Sequence, residues 1–182
     1  MKVIVAPKIY QRRENEISVF LAGGITNCSN WQNEIIQRIE GLRPDDFDDD
    51  LVIYNPRRVN FPIHQSSAAE EQIRWEFNNL NRMDIFSMYF CDGESDQPIC
   101  MYELGRYISQ MQLRFPTDWN RRIIISVEDG YRRINDVLIQ TKLACGYRIR
   151  INTQEDYGSK ETLRIKHTDS IIKAYRKLKG WF

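Results

Sequence analysis

The chain has 182 residues, 42% of them hydrophobic, and its 26 Lys and Arg nearly balance its 25 Asp and Glu. This length supports one substantial core, so we expect a single domain over residues 1–182. A net charge of +1 lacks the basic excess typical of proteins that bind nucleic-acid polymers. No apolar run reaches the ~18 residues of a membrane span, and the first apolar stretch is too short for a secretion signal.

Short apolar segments that predict strands alternate with segments of helical period. The predicted strands are 17–22, 51–54, 84–90, 122–127 and 147–151. The predicted helices begin near residues 29, 67 and 98 and continue with 132–145 and 160–179. Residues 1–16 and 55–66 are the least regular stretches, and 55–66 is a candidate active-site loop.

The first three predicted helices each have a start signal and an apolar face. Ser29–Gln32 and Ser67–Glu70 have the spacing of a capping box, and Pro98 suits the first position of a helix. The expected inward residues are Trp31, Ile35, Ile39 and Leu42 in the first helix, Ala69, Ile73, Phe77 and Leu80 in the second, and Cys100, Leu104, Tyr107, Ile108 and Met111 in the third.

The charged segments and the cysteines are typical of structural positions, not of a functional site. Residues 45–50 are acidic and residues 158–182 carry seven Lys or Arg against two acids, which we interpret as a solvated loop and a solvated helix face. The four cysteines lack CxxC spacing and lie in apolar periodic segments, which predicts reduced core thiols of a cytoplasmic protein. The two histidines, His64 and His167, are far apart in the sequence, so no His-rich metal site is expected and any proton chemistry is expected to depend mostly on carboxylates.

The alternation of strands and helices predicts an α/β fold with a parallel sheet covered on both faces. Five strands suit a flavodoxin-like doubly wound order, in which ligands bind beyond the carboxyl ends of the strands. Those ends are Gly23-Gly24, Asn55–Arg58 and Cys91–Gln97. GxGxxG and GxxxxGK[ST] are both missing, which excludes dinucleotide and P-loop interpretations.

Two carboxylates stand out by position. Glu76 lies within the predicted apolar stripe of its helix, so it either pairs with a cation such as Arg57 or Arg58 or faces a polar cavity. Glu103 lies in the second turn of the helix opened by Pro98, where it is either a solvated edge residue or a functional carboxylate. The helix start favours its ionised form.

Four strings occur in order on this frame, and together they resemble the nucleoside 2-deoxyribosyltransferase-like family over residues 18–130. They are Phe20–Ile25, Asn55–Arg58, Gln72–Glu76 with Leu80 and Asp84, and Pro98-Ile99 leading to Glu103-Leu104-Gly105. The last 50 residues match the family poorly. The resemblance implies a flavodoxin-like fold, a carboxylate nucleophile at Glu103 and an acid that contacts the nucleobase at Glu76.

The resemblance also implies a set of substrate-binding residues. Beyond Gly23 and Gly24, whose turn lets the backbone approach the substrate, the candidates are Asn55, Arg57, Arg58, Asp84, Asp92, Asp96 and Gln97. Asp84 either binds ligand or anchors the adjacent loop, and Asp92 and Asp96 are either ligand-binding or solvated turn residues. The better-studied branch has an Asp six residues before the nucleophile, where this chain has Gln97, and the related nucleotide N-hydrolases have Ser. The choice between nucleoside and nucleotide therefore stays open. Arg57 and Arg58 either bind a phosphate or restrain the two glutamates.

The resemblance implies a cytoplasmic, homo-oligomeric glycosyltransferase of the nucleoside deoxyribosyltransferase type. It would cleave the N-glycosidic bond of a 2′-deoxynucleoside through a glycosyl-Glu intermediate and pass the sugar to a free nucleobase. No metal or organic cofactor is needed for that chemistry. Two alternatives remain: an N-glycosidase that hydrolyses a nucleoside 5′-monophosphate, and a non-catalytic nucleotide-binding module.

Overall fold

The computed structural model describes residues 1–42, 50–62 and 64–181. The strands are β1 (Lys2–Val5), β2 (Ile17–Gly23), β3 (Leu51–Asn55), β4 (Ile85–Phe90), β5 (Ile123–Val127) and β6 (Ile151–Thr153). The helices are α1 (Trp31–Glu40), α2 (Ser66–Leu80), α3 (Pro98–Arg114), α4 (Ile134–Cys145), α5 (Gln154–Tyr157) and α6 (Lys160–Leu178), with a short 3-10 helix at Trp119–Arg121. None of the described helices is long and apolar enough to cross a membrane.

The strands form one parallel sheet in the order β1-β3-β2-β4-β5-β6. Strands β2 to β6 have the flavodoxin-like order, so the predicted fold class is confirmed. Because the chain passes from β2 to β3 on one side and then to β4 on the other, the topological switch point lies between β2 and β4. The carboxyl ends of these strands are therefore where a ligand site is expected.

The prediction of five strands and an irregular segment 1–16 was wrong at Lys2–Val5. These residues form a sixth strand at the sheet edge, paired with β3 from Lys2 opposite Val52 to Val5 opposite Asn55. An edge strand is covered less completely than a central one, and only Ile4 of the four residues is buried. The apolar run Val3–Ala6 was a usable signal, since it is as long as the run 51–54 that predicted β3.

Alternate residues of the central strands supply two cores, one on each face of the sheet. In β2, Val19 and Leu21 face α1 and α6, whereas Phe20 and Ala22 face α2, α3 and α4. All the residues predicted to point inward from α3 are buried, which confirms the apolar face of that helix. The helix also begins at Pro98, as predicted.

The predicted apolar face of α2 was wrong at Ala69, Ile73 and Phe77, and only Leu80 is buried as predicted. Ile73 and Phe77 are 63% and 46% exposed, and the buried residues are Ala68, Trp75 and Leu80. Trp75 sets this orientation, since its ring packs on Phe20 and Tyr54 and its indole N–H donates to the Lys8 carbonyl at 2.8 Å. The aromatic anchor determines the helix rotation more strongly than the aliphatic stripe.

Both predicted capping boxes were also wrong. Asn30 caps α1 by accepting from the Asn33 amide, and α2 begins after Gln65 without a side-chain cap. The last strand begins at Ile151, later than predicted, because Gly146 and Tyr147 both have left-handed backbone conformations that turn the chain first.

The acidic and basic segments are not simply solvated. Residues 45–49 of the acidic patch lie outside the described residues, but Asp50 is buried, accepts from the Tyr175 hydroxyl at 2.6 Å and forms an ion pair with Lys179. Of the four cysteines, all free thiols, Cys28 is only partly buried. The prediction of core thiols therefore holds for Cys91, Cys100 and Cys145 alone.

Candidate active site

A cavity of about 260 Å³ opens at the carboxyl ends of β2, β3 and β4, beside the topological switch point. Its walls come from these strand ends, from the middle of α2 and from the first turns of α3. The lining residues are Phe20, Ala22, Gly23, Gly24, Ile25, Thr26, Pro56, Glu76, Ser95, Gln97, Pro98, Ile99, Cys100 and Glu103. Both predicted catalytic glutamates thus face one cavity.

The glycine pair lets the cavity wall pass close to the neighbouring strand. Gly23 has φ +147°, and a Cβ on it would lie 2.2 Å from the Tyr89 carbonyl oxygen. A Cβ on Gly24 would lie 2.5 Å from Gln97 Oε1. The turn is held in place because the Gly24 carbonyl accepts from the Trp31 indole N–H at 2.9 Å. A side chain at either glycine would displace a wall of the cavity.

Glu76 is held by a glutamine one helical turn earlier. Gln72 Nε2 donates to Glu76 Oε1 and to the Pro56 carbonyl, both at 2.7 Å, and so joins the carboxylate to the end of β3. Burial raises the pKa of Glu76, and the Gln72 hydrogen bond opposes that rise. Sequence reasoning missed Gln72 as a positioning residue, although its spacing of four residues from Glu76 was a usable signal.

Glu103 projects from the second turn of α3. Burial raises its pKa to about 8, and the negative charge of Glu76 adds to the effect. The expectation that the helix start holds Glu103 ionised was therefore wrong. The dipole acts mainly within the first turn, and Glu103 is the sixth residue of α3. The two carboxyls are close enough to influence each other, and burial favours a protonated form of the pair.

The arginines after β3 do not restrain these glutamates. Arg57 donates to the carbonyls of Ile25, Cys28 and Ser29 at 2.6–3.2 Å and so fixes the loop between β2 and α1. Arg58 instead donates to Glu71 at 3.1 Å. Within the described part of the chain neither arginine reaches Glu76 or Glu103, so the ion-pair alternative for Glu76 was wrong. Asn55 accepts from the Arg57 amide at 2.9 Å and shapes the same bend.

Gln97 is the predicted sugar-side residue that the structure brings into the cavity. It is 5% exposed, has a left-handed backbone with φ +47°, and its Nε2 donates to the Cys91 carbonyl at 2.7 Å. Its Oε1 has no hydrogen-bond partner among the described residues. Gln97 lines the cavity, and this oxygen is buried against Gly24.

The three predicted aspartates lie elsewhere. Asp84 is at the amino end of β4, where it accepts from the Ser18 amide at 2.9 Å and pairs with Arg12. It is therefore far from the strand ends that form the cavity. Asp92 pairs with Lys160 at the rim of the sheet, and the exposed Asp96 contributes its carbonyl to the Tyr131 hydroxyl at 2.8 Å. None of the three lines the cavity.

A buried ion pair joins the C-terminal region to the cavity loops, and sequence reasoning did not find it. Glu128, fully buried after β5, accepts from Arg164 of α6 at 2.9 Å, from the Tyr89 hydroxyl at 3.0 Å and from the Asp92 amide at 2.9 Å. Arg164 also contacts Glu34 at 2.6 Å. The basic helix thus supports the loops after β4 and β2 in addition to presenting charge to solvent.

A flavodoxin-like sheet with two interacting carboxyls at its switch point is typical of enzymes that act on small molecules. The family model for nucleoside 2-deoxyribosyltransferase-like proteins matches residues 16–115, which hold β2 to α3 and every residue lining the cavity. The chain therefore belongs to the nucleoside 2-deoxyribosyltransferase-like family. No curated protein matches the sequence.

Proposed function

We propose that the protein cleaves the N-glycosidic bond of a 2′-deoxynucleoside and transfers the sugar to another nucleobase. The observation that supports this most directly is the pairing of Glu76 and Glu103 in one cavity, where burial raises the pKa of each. Displacement at a glycosidic carbon needs one carboxylate and one acid, and two interacting carboxyls that share a proton supply both.

In the proposed reaction the Glu103 carboxylate attacks C1′ of the sugar while the C1′–N bond breaks. The bonding electrons go to the base nitrogen, and Glu76 gives the departing base its proton. The product is a glycosyl ester on Glu103 and a carboxylate at Glu76. A second base then attacks C1′ and loses its proton to Glu76, which restores both groups. Water in place of that base gives hydrolysis.

The charge of the cavity favours a nucleoside over a nucleotide. Its lining residues include two glutamates and no lysine or arginine within the described ranges. Arg57, a predicted phosphate ligand, donates instead to loop carbonyls and to Gln32. A phosphate dianion placed beside two carboxyls without a cation is disfavoured. We therefore propose the neutral nucleoside as substrate.

The test is product analysis by liquid chromatography. The protein is incubated with each deoxynucleoside, or its 5′-monophosphate, with and without a different free base. We expect a new nucleoside only when the second base is present, and little reaction of the monophosphates. The exposed Glu40 at the end of α1 gives a matched control, since Glu40→Gln removes a carboxylate away from the cavity and should leave the product pattern unchanged.

Each other result of this assay points elsewhere. Release of free base from a 5′-monophosphate, with no new nucleoside, identifies the hydrolase alternative and overturns the preference for a neutral ligand. Tight nucleoside binding, measured by calorimetry, without conversion of any substrate identifies a binding module and overturns catalysis.

The carboxyl pair should give the reaction a bell-shaped dependence of kcat/KM on pH. The pair reacts in the form that holds one proton, with that proton on Glu76 and Glu103 ionised. Loss of the pair's last proton, at the pKa of about 8 to which burial raises Glu103, removes this form and lowers the rate above that pH. Protonation of both groups removes the nucleophile, so the acidic limb lies above 4.5, the ordinary value from which burial raises the pKa of Glu76. Steady-state rates across this range check the prediction, and a profile without an alkaline limb contradicts it.

A direct titration separates the two groups. Glu76→Gln removes the negative charge that helps to raise the pKa of Glu103, so the Glu103 carboxyl should then titrate below its wild-type value of about 8. Carbon-13 NMR of labelled glutamate side chains measures this in the absence of substrate. An unchanged titration in the variant would show that the two carboxyls do not interact.

A further inference from the structure

Two thiols pack against the glycine turn at the edge of the cavity. Cys28 follows β2 and is partly exposed, whereas Cys91 follows β4 and is 1% exposed. The two thiols are close enough for each to shift the pKa of the other, and Cys28 Sγ also lies 3.5 Å from the Thr26 carbonyl oxygen. Both also touch Gly24: Cys91 Sγ lies 3.9 Å from its carbonyl oxygen, and a Cβ on Gly24 would lie 2.6 Å from Cys28 Sγ.

The environments of the two thiols differ in a way that suits an exchange reaction. The contact with Cys91 lowers the pKa of Cys28, burial opposes this, and the nearby positive charge of Arg57 assists it. The same contact, together with burial, raises the pKa of Cys91. The exposed thiol is therefore the better nucleophile, and the buried thiol is placed to resolve its oxidation product.

We propose that Cys28 and Cys91 form a reversible disulfide that controls access to the cavity. A peroxide is the oxidant. The Cys28 thiolate attacks one peroxide oxygen, the O–O bond breaks, and Cys28 becomes a sulfenic acid as the other oxygen leaves and takes up a proton to become water. Cys91 then attacks the Cys28 sulfur, the S–O bond breaks, and the Cys91 proton leaves with the hydroxyl as a second water. A dithiol reverses the reaction by exchange.

The disulfide would alter the cavity through two existing contacts. The Cys91 carbonyl accepts from Gln97 Nε2 at 2.7 Å, and Gln97 with Gly24 forms part of the lining. A covalent S–S bond of about 2.05 Å is shorter than any non-bonded contact between the sulfurs, so its formation draws the Cys28 loop towards the end of β4. Gly24 contacts both thiols and Gln97 is hydrogen-bonded to the Cys91 carbonyl, so we expect the oxidised protein to bind its ligand at least about ten-fold more weakly. This second effect rests on the proposed function, but disulfide formation does not.

The test uses the full chain treated with hydrogen peroxide and analysed by mass spectrometry without reduction. We expect loss of two hydrogen atoms and a cross-linked peptide pair that contains Cys28 and Cys91. Cys28→Ser should abolish the cross-link. Cys145→Ser is the matched control, because Cys145 is buried in α4 on the opposite face of the sheet, and this variant should form the cross-link normally. A second measurement needs no variant: iodoacetamide should label Cys28 first in the wild-type protein.

Three results would overturn the proposal. They are accumulation of Cys28 sulfinic acid without a cross-link, pairing of Cys28 with Cys100 instead, and first labelling at a cysteine other than Cys28. Nucleoside binding and turnover are then compared before oxidation, after it, and after dithiothreitol treatment. If the cross-linked protein binds nucleoside as well as the reduced protein does, the disulfide does not control access to the cavity. The proposal is supported if oxidation weakens binding in wild type, if dithiothreitol restores it, and if Cys28→Ser shows no such loss.

Discussion

Replacing Glu103 with glutamine is expected to lower kcat at least ~10³-fold while changing the Kd for the nucleoside by less than about three-fold. Glutamine has the size of the carboxyl and keeps hydrogen-bonding atoms in the cavity, but it does not form the glycosyl ester. Turnover measured by chromatography and binding measured by calorimetry separate the two effects. Glu40→Gln, the same change on the exposed end of α1, should leave both quantities unchanged.

The glutamine variant should remain folded, so that its loss of turnover is interpretable. The folded protein holds the Glu103 proton up to a pKa of about 8, whereas the unfolded chain releases it near 4.5. Between these two pH values the unfolded chain gains a charge that the folded protein does not, so the free energy of unfolding falls as the pH rises. Glutamine is never ionised and avoids this loss, so the variant should be more stable than wild type at pH 8 and similar to it below pH 4.5.

A covalent adduct gives an independent measurement for the same residue. Wild-type protein quenched during turnover should contain a deoxyribosyl group on the peptide that spans α3, and the glutamine variant should lack it. Turnover within about ten-fold of wild type in the variant, or an adduct on another residue, would show that Glu103 is not the nucleophile.

The sequence predicted those parts of the site that depend on where strands end. Gly23, Gly24, Gln97 and Glu103 follow directly from the ends of β2 and β4 and the start of α3, since a parallel sheet gathers these points at one edge. The apolar face of α3 was predictable because aliphatic and aromatic spacing agree with Pro98 on where the helix begins. In α3 the local sequence pattern and the packing of the whole fold favour the same helix start and the same buried face.

Long-range pairings could not be predicted in the same way. Glu76 lies in the cavity although most of the predicted face of α2 was wrong, because Trp75 fixes the helix rotation through rings on two strands. The partner of Arg57 is a set of backbone carbonyls, which a sequence does not mark as acceptors. The partners Glu128 and Arg164 are 36 residues apart and meet only once β5 and α6 are packed. Side-chain ion pairs of this kind depend on tertiary geometry, not on a repeating pattern.

Asp84 shows the limit of transferring a motif by spacing alone. The string places it eight residues after Glu76, yet α2 ends between them and the chain reverses direction to enter β4. Glu76 consequently lies near the carboxyl edge of the sheet, whereas Asp84 lies at the amino edge and anchors Arg12 and Ser18. Its structural role there is to hold the N-terminal segment against the sheet.

Gly23→Ala is expected to cost about 3–5 kcal/mol in the free energy of unfolding, a large part of the total for a domain of this kind. The backbone of Gly23 has φ +147°, which a residue with a side chain rarely adopts, and the new Cβ would lie 2.2 Å from the Tyr89 carbonyl oxygen. A backbone atom within the sheet does not move aside as a flexible side chain does. That carbonyl also accepts from the Gly24 amide at 3.2 Å, so the variant disturbs the contact that joins the two cavity walls.

Gly105→Ala provides the matched control, since it makes the same change in the interior of α3. A Cβ there meets no heavy atom within 4 Å, and alanine favours a helix over glycine by about 1 kcal/mol, so this variant should be slightly more stable than wild type. Urea denaturation of the three proteins measures the difference. A loss below about 1 kcal/mol for Gly23→Ala would mean that β2 and β4 do not approach as described. A large loss of unfolding free energy for Gly23→Ala, but not for Gly105→Ala, would show that the close approach of β2 and β4 requires glycine at position 23. The same close approach places the glycine turn beside the two glutamates.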